Sequence, residues 1–274
     1  MKNYNTIKQY AKRQYKTNVN LGKRINLWSF GTNPESLCNW IFSRVKLQKK
    51  ERVLELGCGT GQLWLENLKE IPLNCSIVLS DFSKKMLNTA KKNLASLKLP
   101  IKFKIIDAEN IPYPNQSFDV VLACHMLYHV PNIQKALLSI NRVLKPNGRF
   151  ISTTVSLNHI QELKDFLSKF DLNIEMKKKL FNEFRNETGK EILKPFFKEV
   201  ELFEHINPVK IPSVDPLIKY IESMFQKDYY PNFQEIKPEI EKALIKTIKK
   251  DSVFKMKGIS GLFQAKNPIN LKSL

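Results

Sequence analysis

Long hydrophobic runs are missing from this chain of 274 residues. The longest apolar stretches, such as Val120 to Cys124, have the length of a strand, whereas a bilayer-spanning helix needs about 20 apolar residues. The opening stretch MKNYNTIKQYAKRQYK is polar and lacks the apolar centre of a secretory signal. We therefore expect no membrane span, no secretion signal and a cytoplasmic location.

Cysteine is scarce and scattered. Cys38, Cys58, Cys75 and Cys124 are widely spaced and form no Cys-x-x-Cys pair. This spacing favours neither a zinc ribbon nor a disulfide framework, and it suits a reducing compartment. The sequence predicts no metal site.

Acidic residues are few relative to basic ones, with 26 Asp+Glu against 45 Lys+Arg and a net charge of +19. Residues 1–50 alone carry +10. Such an excess is typical of proteins that bind nucleic acid or anionic membranes. Only 7 of the 45 basic residues are arginine, whose planar fork suits phosphate and guanine. A lysine-rich solvated surface therefore explains the charge better, and we expect no nucleic-acid partner.

What the chain does contain is an alternation of short apolar runs and helical patterns. Apolar residues recur at helical spacing in residues 83–94 and 133–144. Strands are predicted at residues 52–56, 76–80, 101–106, 119–123 and 149–155, the last after a stop at Pro146-Asn147-Gly148. The alternation predicts an α/β fold with a doubly wound, mostly parallel sheet and helices on both faces.

After residue 157 the pattern changes. Helical stretches at 158–185, 213–226 and 234–250 surround two further strand candidates at 200–206 and 259–266. These strands would complete a seven-stranded sheet at its edge, with the helices of residues 213–250 as a cap beside the site. We divide the chain into an N-terminal helical lid (1–50), a core (51–157) and a helical cap with the last two strands (158–274), within one folded unit.

Three of the nine glycines, Gly57, Gly59 and Gly61, fall between the first strand and the following helix. Glycine there permits positive φ and close approach of a ligand, and the helix N-terminus offers free amide donors. The spacing Gly-x-Gly-x-Gly differs from that of dinucleotide binders, and no Lys-Ser/Thr follows as in a P-loop. The pattern favours a ligand-binding loop, with a tight turn that binds nothing as the alternative.

Acidic side chains mark the ends of the next two strands. Asp81 ends the second strand, where a carboxylate can accept hydrogen bonds from both ribose hydroxyls of an adenosine, with Phe82 and Met86 beside the adenine. The alternative for Asp81 is that it only caps the helix that starts at Ser83. The third strand ends in Asp107-Ala108-Glu109, whose acids could accept from an adenine amino group.

Together these motifs resemble the class I S-adenosylmethionine-dependent methyltransferases. ELGCGTG resembles the family's glycine loop, VLSDFSKKML its ribose-binding strand end, IDAENIPYPNQSFDVVLACHMLYHV its adenine and acceptor-side motifs, and RVLKPNGRF its turn into the fifth strand. The resemblance spans residues 52–155 and is closest to small-molecule enzymes such as the ubiquinone/menaquinone methyltransferases. It implies a Rossmann-like methyltransferase fold, a cofactor-binding core at 51–157, S-adenosylmethionine as cofactor and S-adenosylhomocysteine as product.

The resemblance also implies roles for individual residues. The backbone around the glycine loop would hold the methionine end of the cofactor, Asp81 the ribose, and Asp107 and Ala108 the adenine amino group. The cofactor-binding residues implied in this way are Glu55, Gly57, Cys58, Gly59, Gly61, Asp81, Phe82, Met86, Asp107, Ala108 and Cys124. Amino-group DNA methyltransferases carry Asn-Pro-Pro-Tyr/Phe where this chain has residues 123–126, Ala-Cys-His-Met, which argues against base methylation.

Two histidines are the candidate catalytic residues. Methyl transfer from a sulfonium is an in-line displacement, in which a protein mainly aligns donor and acceptor. His129 occupies the place of a general base in the Leu-x-His-x-Pro stretch of related enzymes, and His125 would lie beside the acceptor. The alternative for His129 is packing at the start of the next helix. The two histidines are four residues apart, but without a third ligand they predict no metal site.

Aromatic and basic residues of the lid and the cap could close the site or line an acceptor pocket, with ordinary packing as the alternative for each. They are Tyr10, Tyr15, Arg24, Trp28, Phe30 and Trp40 in the lid, and Phe225, Tyr229, Tyr230 and Phe233 in the cap.

We expect a methyltransferase with a small-molecule acceptor. The positive charge is compatible with an anionic acceptor, and lysine-rich composition explains it equally well. RNA methylation is one alternative, although no RNA-binding module is recognisable. A non-catalytic S-adenosylmethionine-binding protein is the other, and the intact glycine loop with Asp81 disfavours it.

Overall fold

A seven-stranded sheet forms the centre of the computed structural model, which describes residues 22, 26–97, 100–172, 183–225 and 232–270. The strands are β1 (Arg52–Leu56), β2 (Ser76–Asp81), β3 (Ile101–Ile105), β4 (Phe118–Cys124), β5 (Leu144–Val155), β6 (Phe197–Ile211) and β7 (Phe254–Pro268). Their order is β3-β2-β1-β4-β5-β7-β6, with β1 to β5 parallel and β7 antiparallel to both of its neighbours. The predicted doubly wound, mostly parallel sheet of seven strands is confirmed.

Helices cover both faces of this sheet. They are α1 (Leu37–Val45), α2 (Gln62–Glu66), α3 (Lys84–Asn93), α4 (Ile133–Val143), α5 (Gln161–Ser168), α6 (Asn186–Leu193), α7 (Val214–Met224) and α8 (Phe233–Asp251). Apolar residues of α1, α2 and α3 pack on one face, and those of α4 and α6 pack on the other. The central strands are therefore apolar on both sides, and Val120, Val121 and Leu122 of β4 are fully buried.

The fifth strand begins earlier than predicted. The turn residues 146–148 lie inside β5, and the pairing with β4 shifts in register between Phe118 and Val120. That irregularity accommodates residues that would otherwise break a ladder. Gly148 suits this place because an added Cβ would lie 2.9 Å from the carbonyl oxygen of Lys145.

In its described parts, the predicted helical stretch 158–185 is helical at α5 but not at its predicted end, because α5 ends at Ser168 and α6 begins only at Asn186. Arg185 is extended at the start of α6, and Phe184 before it is fully buried against Phe263 of β7. Burial of this aromatic side chain takes precedence over the local helical pattern. Residues 173–182 lie outside the described residues.

The last helices pack on the long β6–β7 pair. α5, α7 and α8 share a core with the ends of these strands that extend beyond the rest of the sheet, including Val209, Ile211 and Met256. Phe225 and Phe233 stack in this core with ring centroids 5.3 Å apart, so they are packing residues. In the described part of the chain, no helix is both long and apolar enough to cross a membrane.

Candidate functional site

The glycine loop follows β1 at the carboxyl end of the sheet. Gly57, Gly59 and Gly61 all have positive φ, of 70°, 56° and 79°. The loop is fixed by two backbone hydrogen bonds, from Cys58 to the carbonyl of Ser80 at 2.8 Å and from Gly61 to the carbonyl of Cys58 at 2.9 Å. Side chains with a Cβ rarely adopt this conformation, so the loop requires its glycines.

Each of these glycines faces a different environment. An added Cβ on Gly57 would lie 2.9 Å from Cβ of Met126, and one on Gly61 would lie 2.9 Å from Cδ1 of Leu94, behind α3. A Cβ on Gly59 would meet nothing within 4 Å, because this residue faces an open cavity. The loop therefore leaves room for a ligand at Gly59.

Asp81 closes the loop from the end of β2. Its Oδ2 accepts a hydrogen bond from the backbone N–H of Gly59 at 3.0 Å, and its Oδ1 accepts one from Ser83 at 2.7 Å. Burial raises the pKa of Asp81, while the N–H groups of Ser83 and Gly59 act in the opposite direction. The cap at α3 is made by the hydroxyl of Ser83, which accepts from Met86. Asp81 thus joins the glycine loop to the start of α3.

Glu55 is a buried carboxylate beneath the loop. Its Oε2 accepts a hydrogen bond of 2.6 Å from the indole N–H of Trp64 on α2. Burial raises the pKa of Glu55 to about 7; the Trp64 hydrogen bond lowers it and the charge of Asp81 raises it. The side chain is therefore poised between its two protonation states near neutral pH.

The turn after β3 separates its two acids. Asp107 lines the cavity beside Ala108, and its Oδ1 accepts from the N–H of Glu109 at 3.1 Å. The carboxylate of Glu109 is buried elsewhere and accepts from the N–H of Asn132 at the start of α4. Of the two predicted adenine-side acids, Asp107 alone lies in the cavity.

The end of β4 places both candidate histidines in the cavity. His125 has a φ of 50°, and its N–H is held by Thr153 of β5. Burial lowers the pKa of His125 to about 4, so its ring is neutral at physiological pH. His129 ends a short turn of 3-10 helix (Leu127–His129), with its ring 4.6 Å from that of Tyr128.

These elements enclose one cavity of about 480 Å³. Its lining includes both candidate histidines and all of the cofactor-binding residues implied by the resemblance except Gly61: Glu55, Gly57, Cys58, Gly59, Asp81, Phe82, Met86, Asp107, Ala108, Cys124, His125 and His129. Gly61 is buried instead, where an added Cβ would approach Leu94 and Ala90 beside α3. No group of three or more His, Cys, Asp or Glu in the described ranges could hold a metal ion.

The charge of the lining is opposite to that of the chain. Glu55, Asp81 and Asp107 line the cavity, and no lysine or arginine of the described residues does. The chain as a whole carries +19. The remaining lining is mainly apolar, so the cavity suits a ligand that is cationic and partly apolar.

Helix α1 supplies part of the lining that the sequence did not indicate. Leu37, Cys38 and Ile41 face the cavity from this helix. The lid residue Trp40 is buried in the core instead, and the partly buried Trp28 and Phe30 pack against the core that α5, α7 and α8 share. Tyr10, Tyr15, Arg24, Tyr229 and Tyr230 lie outside the described residues. A helical spacing of Leu37 and Ile41 was visible, but it does not say what the helix covers.

The thiols of the cavity are held neutral. Burial raises the pKa of Cys38 to about 12, and it raises the pKa of Cys58 and of Cys124 well above the ordinary value. Glu55 adds to the shift of all three through its charge. The thiols therefore act as small apolar groups and not as nucleophiles.

Comparison with known proteins gives a family and several relatives. A family model described as "Methyltransferase domain" matches residues 47–201. The ubiquinone/menaquinone biosynthesis C-methyltransferase UbiE of Rickettsia prowazekii (strain Madrid E) is 37% identical over 127 residues, which are 44% of this chain and 51% of that protein. The UbiE of Rickettsia bellii (strain OSU 85-389) is 35% identical over the same shares. The chain spans about half the length of these curated relatives.

A solved structure shares the fold at low sequence identity. The YcgJ protein of Bacillus subtilis has a TM-score of 0.59 and 15% identity, with 85% of this chain and 98% of that chain covered. At this level the likeness concerns the fold alone.

Proposed function

The chain belongs to the family of methyltransferase domains, and from this premise we propose that it transfers a methyl group from S-adenosylmethionine to a small-molecule acceptor. The observation that carries the proposal is the inversion of charge at the site. Three carboxylates and no described lysine or arginine line the cavity of a chain with a charge of +19. S-adenosylmethionine carries two cationic groups and one carboxylate, so this lining fits it.

The cavity also fits the nucleoside part of the cofactor. Each oxygen of Asp81 accepts one backbone N–H and keeps a further lone pair. Those lone pairs would accept the two ribose hydroxyls. Phe82, at the mouth, and Met86, inside, would contact the adenine, and Asp107 would accept from its amino group.

The residues of the chain would act by alignment. The bound cofactor supplies a methyl group that its sulfonium has already activated. Gly57 and Gly59 leave room for the methionine end, and the apolar walls of α1 exclude water from the reacting atoms. The acceptor would lie between α1 and the end of β4, beside Cys124.

His129 would remove the acceptor's proton where it has one to lose. It lines the cavity at the end of β4, and the family resemblance gives this position the role of base. His125 is a weaker candidate because burial holds its pKa near 4. We assign His125 to the wall beside the acceptor and His129 to proton transfer.

For the methyl acceptor we propose a chemical class and not an individual compound. The relatives named UbiE act as C-methyltransferases in quinone biosynthesis according to their names, but the alignment covers less than half of this chain. Because no described lysine or arginine lines the cavity, an uncharged acceptor with an apolar part suits it better than an anionic one. A quinol-like ring would meet this description.

The first test is cofactor binding by isothermal titration calorimetry. Asp81→Asn places an amide where two backbone donors and the ribose require an acceptor, and should weaken S-adenosylmethionine binding about tenfold to a hundredfold. The matched control is Asp215→Asn, since Asp215 is an exposed acid on α7 paired with Lys219. Equal affinity in all three proteins would contradict the ribose assignment.

The second test is methyl transfer itself. Labelled S-adenosylmethionine is incubated with candidate quinols, other small molecules and bulk RNA, and the label is followed into each. Transfer to a small molecule supports the proposal. Transfer to RNA alone would replace it with the RNA alternative, and tight binding without any transfer would indicate a non-catalytic protein.

A further inference from the structure

Glu55 lies near the carboxyl end of β1, at the edge of the sheet that borders the cavity, and it is closer to the middle of the sheet than the other cavity-lining carboxylates. Its strand β1 lies between β2, which ends at Asp81, and β4, which ends at Cys124. The side chain is 2% exposed, lines the cavity and accepts one hydrogen bond, from Trp64. Among the described residues it forms no ion pair.

Ionisation of a buried carboxylate costs free energy when its only hydrogen-bond donor is an uncharged group. Groups from every neighbouring element face it, and none of them is a cation. These groups are Trp64 on α2, Asp81 at the end of β2, Cys58 in the glycine loop, Cys38 on α1 and Cys124 on β4. In the ligand-free protein, uptake of a proton removes the uncompensated charge. A raised pKa of about 7 agrees with this geometry.

We propose that Glu55 holds a proton in the ligand-free protein and releases it to solvent when the cationic methionine end of the cofactor binds. The carboxylate then becomes the counter-charge of that cation. This inference rests on the proposed function, because it takes S-adenosylmethionine as the ligand. It makes cofactor binding proton-coupled and assigns the coupling to one residue.

The coupling has a definite direction. Below about pH 7 the cofactor must displace a proton, so its affinity should fall by about tenfold for each further pH unit. Above that pH the carboxylate is already ionised, and the affinity should be nearly constant. Binding should release close to one proton at about pH 6 and close to none at about pH 8.

The experiment is calorimetry of S-adenosylmethionine binding to the full chain in buffers of different ionisation enthalpy, which counts released protons. Adenosine serves as a probe of the same cavity without the cationic end. Proton release with S-adenosylmethionine and none with adenosine is expected. The cofactor's own α-amino group titrates near pH 8, so the variants are compared near pH 6, where this group is protonated both before and after binding.

Two variants test whether the proton that is released on cofactor binding comes from Glu55. Glu55→Gln keeps the shape and the Trp64 contact, and it should abolish the release near pH 6 and flatten the affinity profile. Trp64→Phe removes the donor that favours the anion, so it should move the release to higher pH. The matched control is Glu66→Gln, whose exposed carboxylate on α2 lies outside the cavity lining.

The outcomes separate the two proposals. Tight binding with no proton release, or with release unchanged in Glu55→Gln, would overturn the role of Glu55 and leave the proposed function standing. If Glu55→Gln does not fold, an unshifted profile in Trp64→Phe overturns the role. Absence of S-adenosylmethionine binding at any pH would overturn the proposed function and this inference with it.

Discussion

Gly59 and Gly61 have the same kind of backbone conformation and different surroundings. Positive φ costs about 1–2 kcal/mol for any residue with a Cβ, so Gly59→Ala and Gly61→Ala share this strain. On Gly59 the added methyl enters the open cavity, whereas on Gly61 it meets Leu94 at 2.9 Å. Gly59→Ala should therefore weaken S-adenosylmethionine binding, and its cost in stability should be limited to the backbone strain.

Gly61→Ala should lower the stability more than Gly59→Ala does and leave S-adenosylmethionine binding nearly unchanged. Overpacking against Leu94 adds about 1–3 kcal/mol to the strain, while the cavity keeps its shape. Urea unfolding gives the stability and calorimetry gives the affinity of each variant. A larger loss of affinity in Gly61→Ala than in Gly59→Ala would show that the loop does not present Gly59 to the ligand.

His129 and His125 can be separated by kinetics once an acceptor is found. His129→Ala should lower kcat about 100-fold or more if the acceptor must lose a proton, with S-adenosylmethionine affinity within about threefold of the parent. His125→Ala serves as the comparison, because a ring with a pKa of about 4 is a weak base at neutral pH. An unchanged kcat in His129→Ala would remove it as the base.

Arg149 connects the C-terminal end of helix α1 to the sheet. Arg149 of β5 donates to the carbonyl oxygens of Val45 and Lys46, each at 2.9 Å, and forms a two-point ion pair with Glu51. These contacts tie the end of α1 to the sheet. They therefore also place the cavity wall that α1 provides.

Arg149→Met should loosen α1 and lower the free energy of unfolding by about 2–4 kcal/mol, since Glu51 is left unpaired at a mainly buried site. Amide hydrogen exchange should rise in α1 more than in α4. Lys219→Met is the control, because it breaks an exposed pair worth about 0.3–0.5 kcal/mol. Equal amide hydrogen exchange in α1 of Arg149→Met and Lys219→Met would contradict the role of Arg149 in holding α1 to the sheet.

At the scale of elements, the sequence predicts features that follow from local patterns but not those that depend on tertiary contacts. The strand ends that carry Glu55, Asp81 and Cys124 were predictable, since parallel strands bring their carboxyl ends to one edge. The lining from Leu37 and Ile41 was not, because partners over 100 residues away, such as Arg149, fix where α1 lies. The break before α6 was missed for a similar reason, the burial of Phe184.

At the scale of the whole molecule, the net charge of the chain is opposite in sign to the charge of the described cavity lining. Lysines dominate the net charge of +19, yet acids supply all the formal charge among the described cavity-lining residues. The excess therefore says little about the ligand in the cavity, and the buried acids say more. Buried acids also destabilise the ligand-free protein when they are ionised, and this effect should appear in the pH dependence of its free energy of unfolding.

Glu55 should make the ligand-free protein less stable as the pH rises. Its folded pKa of about 7 exceeds the ordinary value of 4.5, so the folded chain holds the proton more tightly than the unfolded chain. The stabilising contribution is complete below about pH 4.5 and is lost as the pH rises through about 7, by on the order of 3 kcal/mol. The raised pKa of Asp81 acts in the same direction. Burial lowers the pKa of His125 and of His159, which lies just before α5, and these two shifts act in the opposite direction.

Comparison with Glu55→Gln isolates this contribution, because Asp81 and both histidines are present in the two proteins. Urea unfolding from about pH 4.5 to about pH 8 should show the parent losing stability relative to the variant, by on the order of 3 kcal/mol across the range. Saturating S-adenosylmethionine should reduce the difference in slope, since the bound cation compensates the carboxylate. Parallel stability profiles in the ligand-free proteins would mean that Glu55 is already ionised throughout, and the cavity would then hold its negative charge without a ligand.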